Sequence, residues 1–77
     1  MKYDKRFIEA CEKLGKRIQD IREEKGITVE ELSEKTGIRK EYIKKIESGK
    51  AYGVTLDKHL FKISNALKIK LSTLFNF

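Results

Sequence analysis

The apolar residues of the N-terminal third recur in steps of three and four. They are Phe7, Cys11, Leu14, Ile18 and Ile21, with Ile8 widening the stripe. This spacing places them on one face of an amphipathic helix. Asp4 is a suitable N-cap, and Lys25 followed by Gly26 is a suitable helix end. Gly15 lies inside the helix and indicates either a close helix crossing or the point where an N-terminal extension joins the domain.

Two short helices follow, joined by a glycine turn. Thr28 and Glu31 have the spacing of a capping box, in which hydroxyl and carboxylate each satisfy a backbone N–H. We predict a second helix over about 29–35, a turn at Gly37 and a third helix over about 40–48. Their inward residues are Val29, Leu32, Ile38, Ile43 and Ile46. This is the pattern of a helix-turn-helix, whose second helix enters the DNA major groove.

The C-terminal third predicts two more helices. Thr55 caps a fourth helix with Asp57 in its first turn. The inward stripe of that helix is Leu56, Leu60, Ile63 and Leu67. A fifth, short helix is expected within 69–77. The pattern therefore predicts an all-α fold, a five-helix bundle around one core, with residues 1–13 as a helical extension and 14–77 as the domain.

The composition excludes several classes of protein. The chain has 77 residues, no proline and a single cysteine, Cys11, so it forms no internal disulfide and no thiolate metal cage. No apolar run approaches the roughly 18 residues of a membrane span, and no signal peptide is evident. Cys11 and His59 each lack a partner for catalysis or metal binding. We expect a cytoplasmic protein that is not an enzyme and binds no cofactor or metal.

The net charge of +6 is concentrated in the second half of the chain. Residues 1–34 carry eight basic and nine acidic side chains, whereas residues 35–50 carry six basic and two acidic ones. A positive patch centred on the third helix suits a polyanion, and nucleic acid before membrane. The alternative is a solvated lysine-rich face.

The stretch from about Leu14 to Phe75 resembles the Xre/Cro family of helix-turn-helix domains, which includes the lambdoid phage repressors. The resemblance is carried by Leu14, Gly15, Ile18, Ile21, Arg22, Gly26, Ile27, Thr28, Glu31, Leu32, Gly37, Ile38, Tyr42, Ile43, Ile46, Glu47, Gly49, Lys50, Leu56, Ala66 and Leu67. It implies a lambda-repressor-like five-helix domain that binds double-stranded DNA, usually as a homodimer on a pseudo-palindromic operator.

The resemblance also implies roles for individual residues. The DNA-binding positions of the family match Thr28, Arg39, Lys40, Glu41, Lys44, Lys45, Ser48 and Lys50. Within the implied recognition helix, 39–48, the base-facing positions match Arg39, Lys40, Glu41 and Lys45. Arg22 and Glu47 match a salt bridge that holds this helix, although an ordinary surface ion pair is the alternative. Glu41 either reads cytosine or pairs with Lys45 along the helix.

Two features depart from the family pattern. Val29 stands where the family commonly has Gln, which contacts phosphate and braces the recognition helix, so the backbone clamp at that end is in doubt. The extension, with Phe7, Ile8 and Cys11, either packs on the core or forms a dimer surface. Phe75 and Phe77 are a second candidate for the dimer seam, unless they fold back on the core.

The leading hypothesis is a sequence-specific transcriptional regulator, a repressor similar to Cro-like repressors, controller proteins or antitoxins. The alternative is a protein-interaction module that keeps the fold and binds a protein of unknown identity, as an antitoxin does. A third hypothesis is non-specific nucleoid binding, against which the acidic Glu41 argues.

Overall fold

The computed structural model describes residues 3–77, in which every regular element is a helix and no strand occurs. The four α-helices are α1 (Lys5–Glu24), α2 (Val29–Thr36), α3 (Lys40–Glu47) and α4 (Phe61–Leu67). A π-helical turn (Leu56–Leu60) precedes α4, and a 3-10 helix (Leu71–Phe75) ends the fold. The all-α class predicted from the sequence is confirmed. No helix in this described part is long and apolar enough to cross a membrane.

Helix α1 runs without a break from Lys5, within the predicted extension 1–13, into the domain, and residues 1–2 of that extension lie outside the described part of the chain. Asp4 Oδ1 accepts from the backbone N–H of Arg6 at 2.7 Å, as expected of an N-cap. Gly26 lies just beyond the helix end with φ +70°, a conformation that glycine adopts without steric cost. Cys11 is buried on the inner face, as predicted for a small apolar side chain.

Helices α2 and α3 form the helix-turn-helix. The backbone N–H of Thr28 donates to the Glu31 carboxylate at 2.9 Å, and that of Glu31 donates to Thr28 Oγ1 at 3.0 Å, which completes the capping box. Gly37 adopts φ +75° in the turn, and Ser33 Oγ donates across it to the Ile38 carbonyl at 2.6 Å. The third helix is one residue shorter at each end than the implied 39–48, because Arg39 and Ser48 are its caps.

Every helix contributes to one core. The fully buried side chains are Ile18, Leu32, Ile43, Ile63, Leu67, Leu74 and Ser64. They come from α1, α2, α3, α4 and the 3-10 helix, so no element is an appendage. Tyr42 is half-buried and packs against this core, in agreement with its predicted packing role.

The prediction of five helices is wrong in number, because the last element is not an α-helix. Lys68 turns the chain with φ +58° and Lys70 is extended. The last element therefore begins only at Leu71 and contains five residues, Leu71–Phe75. Such a short element forms the i→i+3 hydrogen bonds of a 3-10 helix. The backbone N–H of Thr73, for example, donates to the carbonyl of Lys70 at 3.0 Å.

The predicted burial of Leu56 is also wrong, since this side chain is 55% exposed. The backbone N–H of Leu60 donates to the carbonyl of Thr55, five residues earlier, at 3.1 Å. A π turn holds more residues than an α turn, which shifts Leu56 off the stripe defined by Leu60, Ile63 and Leu67. The Thr55 cap is nevertheless present and accepts from Lys58 N–H at 3.2 Å.

Candidate nucleic-acid interface

Helix α3 has one buried and one exposed face. Ile43 and Ile46 are buried against α1 and α2. The opposite side presents a set of exposed, mostly basic side chains. These are Arg39, Lys40, Glu41, Lys44 and Lys45. Among the described residues Glu41 forms no ion pair with Lys45 within 4.0 Å, so the acid is available to an external donor.

The C-terminal end of α3 lies directly against α1. A methyl group on Gly15 would collide with the carbonyl oxygen of Ile46 and lie 2.8 Å from that of Glu47. A Cβ added to Gly49, whose φ is +80°, would lie 2.7 Å from the Cα of Glu12. Of the two interpretations of Gly15, the structure supports the close helix crossing.

Arg22 and Glu47 form a bidentate ion pair across this crossing. Arg22 Nε donates to Glu47 Oε2 at 2.7 Å and Nη2 donates to Oε1 at 3.0 Å, while Nη1 donates to the Ile27 carbonyl at 2.8 Å. The two side chains are only 10% and 6% exposed. The hydrogen-bonded carboxylate raises the pKa of Arg22. This is a buried, fork-shaped pair and not a solvated one.

The N-terminal end of α3 is surrounded by basic side chains from the π turn and α4. One hollow is lined by Gly37, Ile38, Arg39, Tyr42, Lys58, His59 and Lys62. Lys58 and Lys62 were not in the predicted site. Their four-residue spacing, from Lys58 in the π turn to Lys62 in α4, is visible in the sequence, but their nearness to Arg39 depends on the tertiary structure.

His59 is an uncharged member of this hollow. Its ring lies 4.9 Å from that of Tyr42, and Nδ1 accepts from the backbone N–H of Thr55 at 3.0 Å. Burial, together with the charges of Lys58 and Lys62, lowers the pKa of His59. The hollow therefore gains its positive charge from lysine and arginine, and not from the imidazole.

A second hollow lies where α1, α2 and the end of α3 meet. It is lined by Gln19, Arg22, Val29, Lys44, Glu47 and Ser48. The half-buried Val29 offers no hydrogen bond there, whereas the amide of Gln19, from α1, lies in the same hollow. Nothing in the sequence singled out Gln19, because it belongs to α1 and lies ten residues before Val29 in the chain.

The sequence profile of a helix-turn-helix domain of the Xre/Cro-like kind matches residues 15–76. The chain belongs to this family. Such domains bind DNA and regulate transcription, and they are typically not enzymes. No curated protein matches the chain.

In this helix-turn-helix domain, the side chains expected to contact DNA lie in four places. Arg39, Lys40, Glu41 and Lys45 lie on the outer face of α3, and Thr28 is exposed at the N-terminus of α2. Lys44 and Ser48 line the second hollow, and Lys50 is exposed in the following loop. Thr28 Oγ1 accepts from the backbone N–H of Glu31, so this exposed hydroxyl is held at the start of α2. No cluster of three or more metal-binding side chains occurs in residues 3–77.

Proposed function

We propose that this protein is a sequence-specific regulator of transcription whose α3 enters the major groove of double-stranded DNA. The observation that carries the proposal is the combination found in α3. Its inner face is fully buried, its C-terminal end is held by Gly15 and the Arg22–Glu47 pair, and its outer face is exposed and basic. A rigidly held reading helix presents its side chains to base edges with little loss of entropy on binding.

The base-reading residues would be Arg39, Lys40, Glu41 and Lys45. Arginine and lysine donate to the O6 and N7 acceptors of guanine, and a glutamate accepts from the N4 amino group of cytosine. The central Glu41 repels phosphates, so it favours reading of sequence over non-specific binding. Arg22 and Glu47 act as the clamp that fixes the docking angle of α3.

The phosphate-binding residues would be Thr28, Lys44, Ser48 and Lys50. To these we add Lys58 and Lys62, which share a hollow with Arg39 at the other end of α3. The two ends of the reading helix then each lie beside a group of donors. Phosphate contacts at both ends fix the register of the protein along the duplex.

The regulator would act as a homodimer on a pseudo-palindromic operator. Half-sites one helical turn, about 34 Å, apart match a pair of identical reading helices related by a twofold axis. The molecule measures 34 × 24 × 20 Å, so two copies lying side by side can reach adjacent half-sites. Occupation of a promoter by such a dimer would repress transcription by excluding polymerase, as a Cro-like repressor does.

The first test is selection of random double-stranded DNA by the purified protein at about 150 mM salt, followed by affinity measurements over a range of salt concentrations. We expect an enriched pseudo-palindrome. Lys40→Ala/Lys45→Ala should abolish its recognition, whereas the matched control Lys68→Ala/Lys70→Ala, which removes equal charge elsewhere, should not. Steep salt dependence without a motif would indicate non-specific binding, and no retained DNA would refute the regulator.

A protein-interaction module is the second candidate, favoured by one observation. Val29 places an apolar side chain in the hollow where an amide would contact phosphate. If the fold binds a protein partner through another face, as an antitoxin does, the Lys40→Ala/Lys45→Ala variant should retain that partner. Retention of a partner with no DNA bound by the wild type would favour this candidate.

A further inference from the structure

The hollow where α1, α2 and the end of α3 meet has most of its polar groups engaged within the protein. Each nitrogen of the Arg22 guanidinium donates to Glu47 or to the Ile27 carbonyl, and both Glu47 carboxylate oxygens accept from Arg22. Ser48 Oγ donates to the Lys45 carbonyl at 2.9 Å, so it becomes a donor to a ligand only by rotating away. These groups build the hollow and offer little to a ligand in it.

Two further donors line the hollow, the side-chain amide of Gln19 and the ammonium group of Lys44. Within residues 3–77 neither group forms a side-chain hydrogen bond or an ion pair. Gln19 is half-buried, and no fully buried polar side-chain atom of the described residues lacks a partner. The unpartnered amide of Gln19 is therefore open to solvent, as is the exposed Lys44.

Val29 lines the same hollow and has no polar group in its side chain. It is half-buried and packs against the core. The family commonly has a glutamine at this position, so the amide that contacts phosphate is missing from α2. Gln19 brings an amide into the same hollow from the neighbouring helix α1.

The charge of the hollow suits a phosphate. Its charged lining residues are Arg22, Lys44 and Glu47, and the Glu47 carboxylate is neutralised by its ion pair with Arg22. The hollow therefore keeps the single positive charge of Lys44, together with the neutral donor of Gln19. None of the four base-reading residues lines it. A phosphodiester, which carries one negative charge and accepts hydrogen bonds, is the DNA group that these two donors match.

We propose that the side-chain amide of Gln19 donates to a DNA backbone phosphate that Lys44 also contacts, in the place of the glutamine that Val29 replaces. The phosphate would then join α1, and not only α2 and α3, to the DNA backbone. This inference rests on the proposed function, because the phosphate belongs to the operator that α3 reads. It also removes the reason to expect weak DNA binding from Val29.

The first test is the affinity of Gln19→Ala for the selected operator. The variant should bind at least about tenfold more weakly, since a hydrogen bond to a charged group is lost. Its slope of log K against log salt should be unchanged, because an amide displaces no counterion, whereas Lys44→Ala should reduce the slope by about 0.9. Asn65→Ala removes an exposed amide from α4 and should bind as the wild type does. Urea denaturation verifies that each variant folds.

A double-mutant cycle with Val29→Gln tests whether the two positions serve one phosphate. Val29→Gln should restore most of the affinity that Gln19→Ala loses, because it returns an amide to the hollow from α2. In the wild-type background the same substitution should change the affinity less than about twofold, since the phosphate already has its amide. An equal gain in both backgrounds would mean that Gln19 does not occupy this place.

A scan of the operator backbone separates a phosphate contact from a structural role of Gln19. Each phosphate is replaced in turn by an uncharged methylphosphonate. At one position in each half-site the replacement should weaken the wild type more than it weakens Gln19→Ala, because the variant has already lost that contact. A purely structural defect would lower the affinity of Gln19→Ala equally for every DNA in the scan.

The outcomes distinguish this inference from the proposed function. If the wild type selects an operator and Gln19→Ala binds it equally well, only the role of Gln19 is overturned. Additive losses in the methylphosphonate scan, or no rescue by Val29→Gln in a variant that folds, would overturn it as well. If the wild type retains no DNA in the selection, the regulator itself is refuted and this contact with it.

Discussion

The two ends of α3 are held in opposite ways. At its C-terminal end, Gly15 brings the α1 backbone into contact and the Arg22–Glu47 pair is almost fully buried. At its N-terminal end, the Arg39 cap residue makes no side-chain capping bond, and the neighbours are lysines around an open hollow. One end therefore defines where the helix points, and the other presents charge to a ligand.

The contrast between the two ends shows that the eight residues of α3 have two kinds of role, one structural and one in binding. Packing and buried hydrogen bonds are short-ranged and insensitive to salt, so they suit the fixing of an angle. Exposed cations are flexible and screened, so they contribute little to stability and remain available for phosphates. Substitutions at the C-terminal end should therefore reduce folding stability, and those at the N-terminal end should reduce binding.

The largest effect is expected from Glu47→Ala. It leaves the Arg22 guanidinium buried without its carboxylate, which should lower the free energy of unfolding by about 3–5 kcal/mol. Urea denaturation measures this decrease, with Glu41→Ala, an exposed acid on the same helix, as a control expected to change stability by less than about 0.5 kcal/mol. Equal decreases for the two variants would contradict the clamp.

A smaller decrease is expected from Gly15→Ala. The added methyl would overlap the Ile46 carbonyl, and overpacking of this kind costs about 1–3 kcal/mol, against which the better helix propensity of alanine offsets up to about 1 kcal/mol. Gly53→Ala is the matched control, because its methyl would lie an ordinary 3.7 Å from the Tyr42 hydroxyl. If Gly15→Ala melts no lower than this control, α1 does not constrain α3 through this crossing.

At the other end of α3, Lys58→Ala/Lys62→Ala should leave folding stability unchanged. Removal of each phosphate-binding lysine should reduce the slope of log K against log salt by about 0.9, or about 1.8 for the pair. Titration of the selected operator at several salt concentrations measures the slope, with Lys68→Ala/Lys70→Ala as the control. An unchanged slope would remove these lysines from the interface.

The smallest effect is expected from His59. Its pKa in the folded protein is below the ordinary value of about 6.5, so the unfolded chain binds the extra proton first as the pH falls. Stability should therefore be complete above about pH 6.5 and decrease as the pH drops toward the folded pKa. His59→Gln should remove this decrease. Melting curves between pH 7.5 and about pH 5 test it, since the carboxylates with lowered pKa titrate below about pH 4.5. Identical pH profiles for the two proteins would contradict it.

The features predicted correctly from the sequence depend on residues close together in the chain. The capping box spans Thr28 to Glu31, the turn needs only Gly37, and the stripe of α1 repeats within a turn of helix. The errors are also local in origin. The π turn displaced Leu56, and the turn at Lys68, where φ is +58°, left only a short last element.

The sequence by itself determined the all-helical class, the positions of the caps, and a basic helix after a glycine turn, because hydrogen-bond capping and hydrophobic periodicity act over three or four residues. Only the tertiary structure decided that Gly15 meets the end of α3, that Lys58 and Lys62 lie beside Arg39, and that Phe7 and Phe77 share one surface. Those contacts join residues up to seventy positions apart. Their geometry follows from how the helices pack around the common core, which no local pattern encodes.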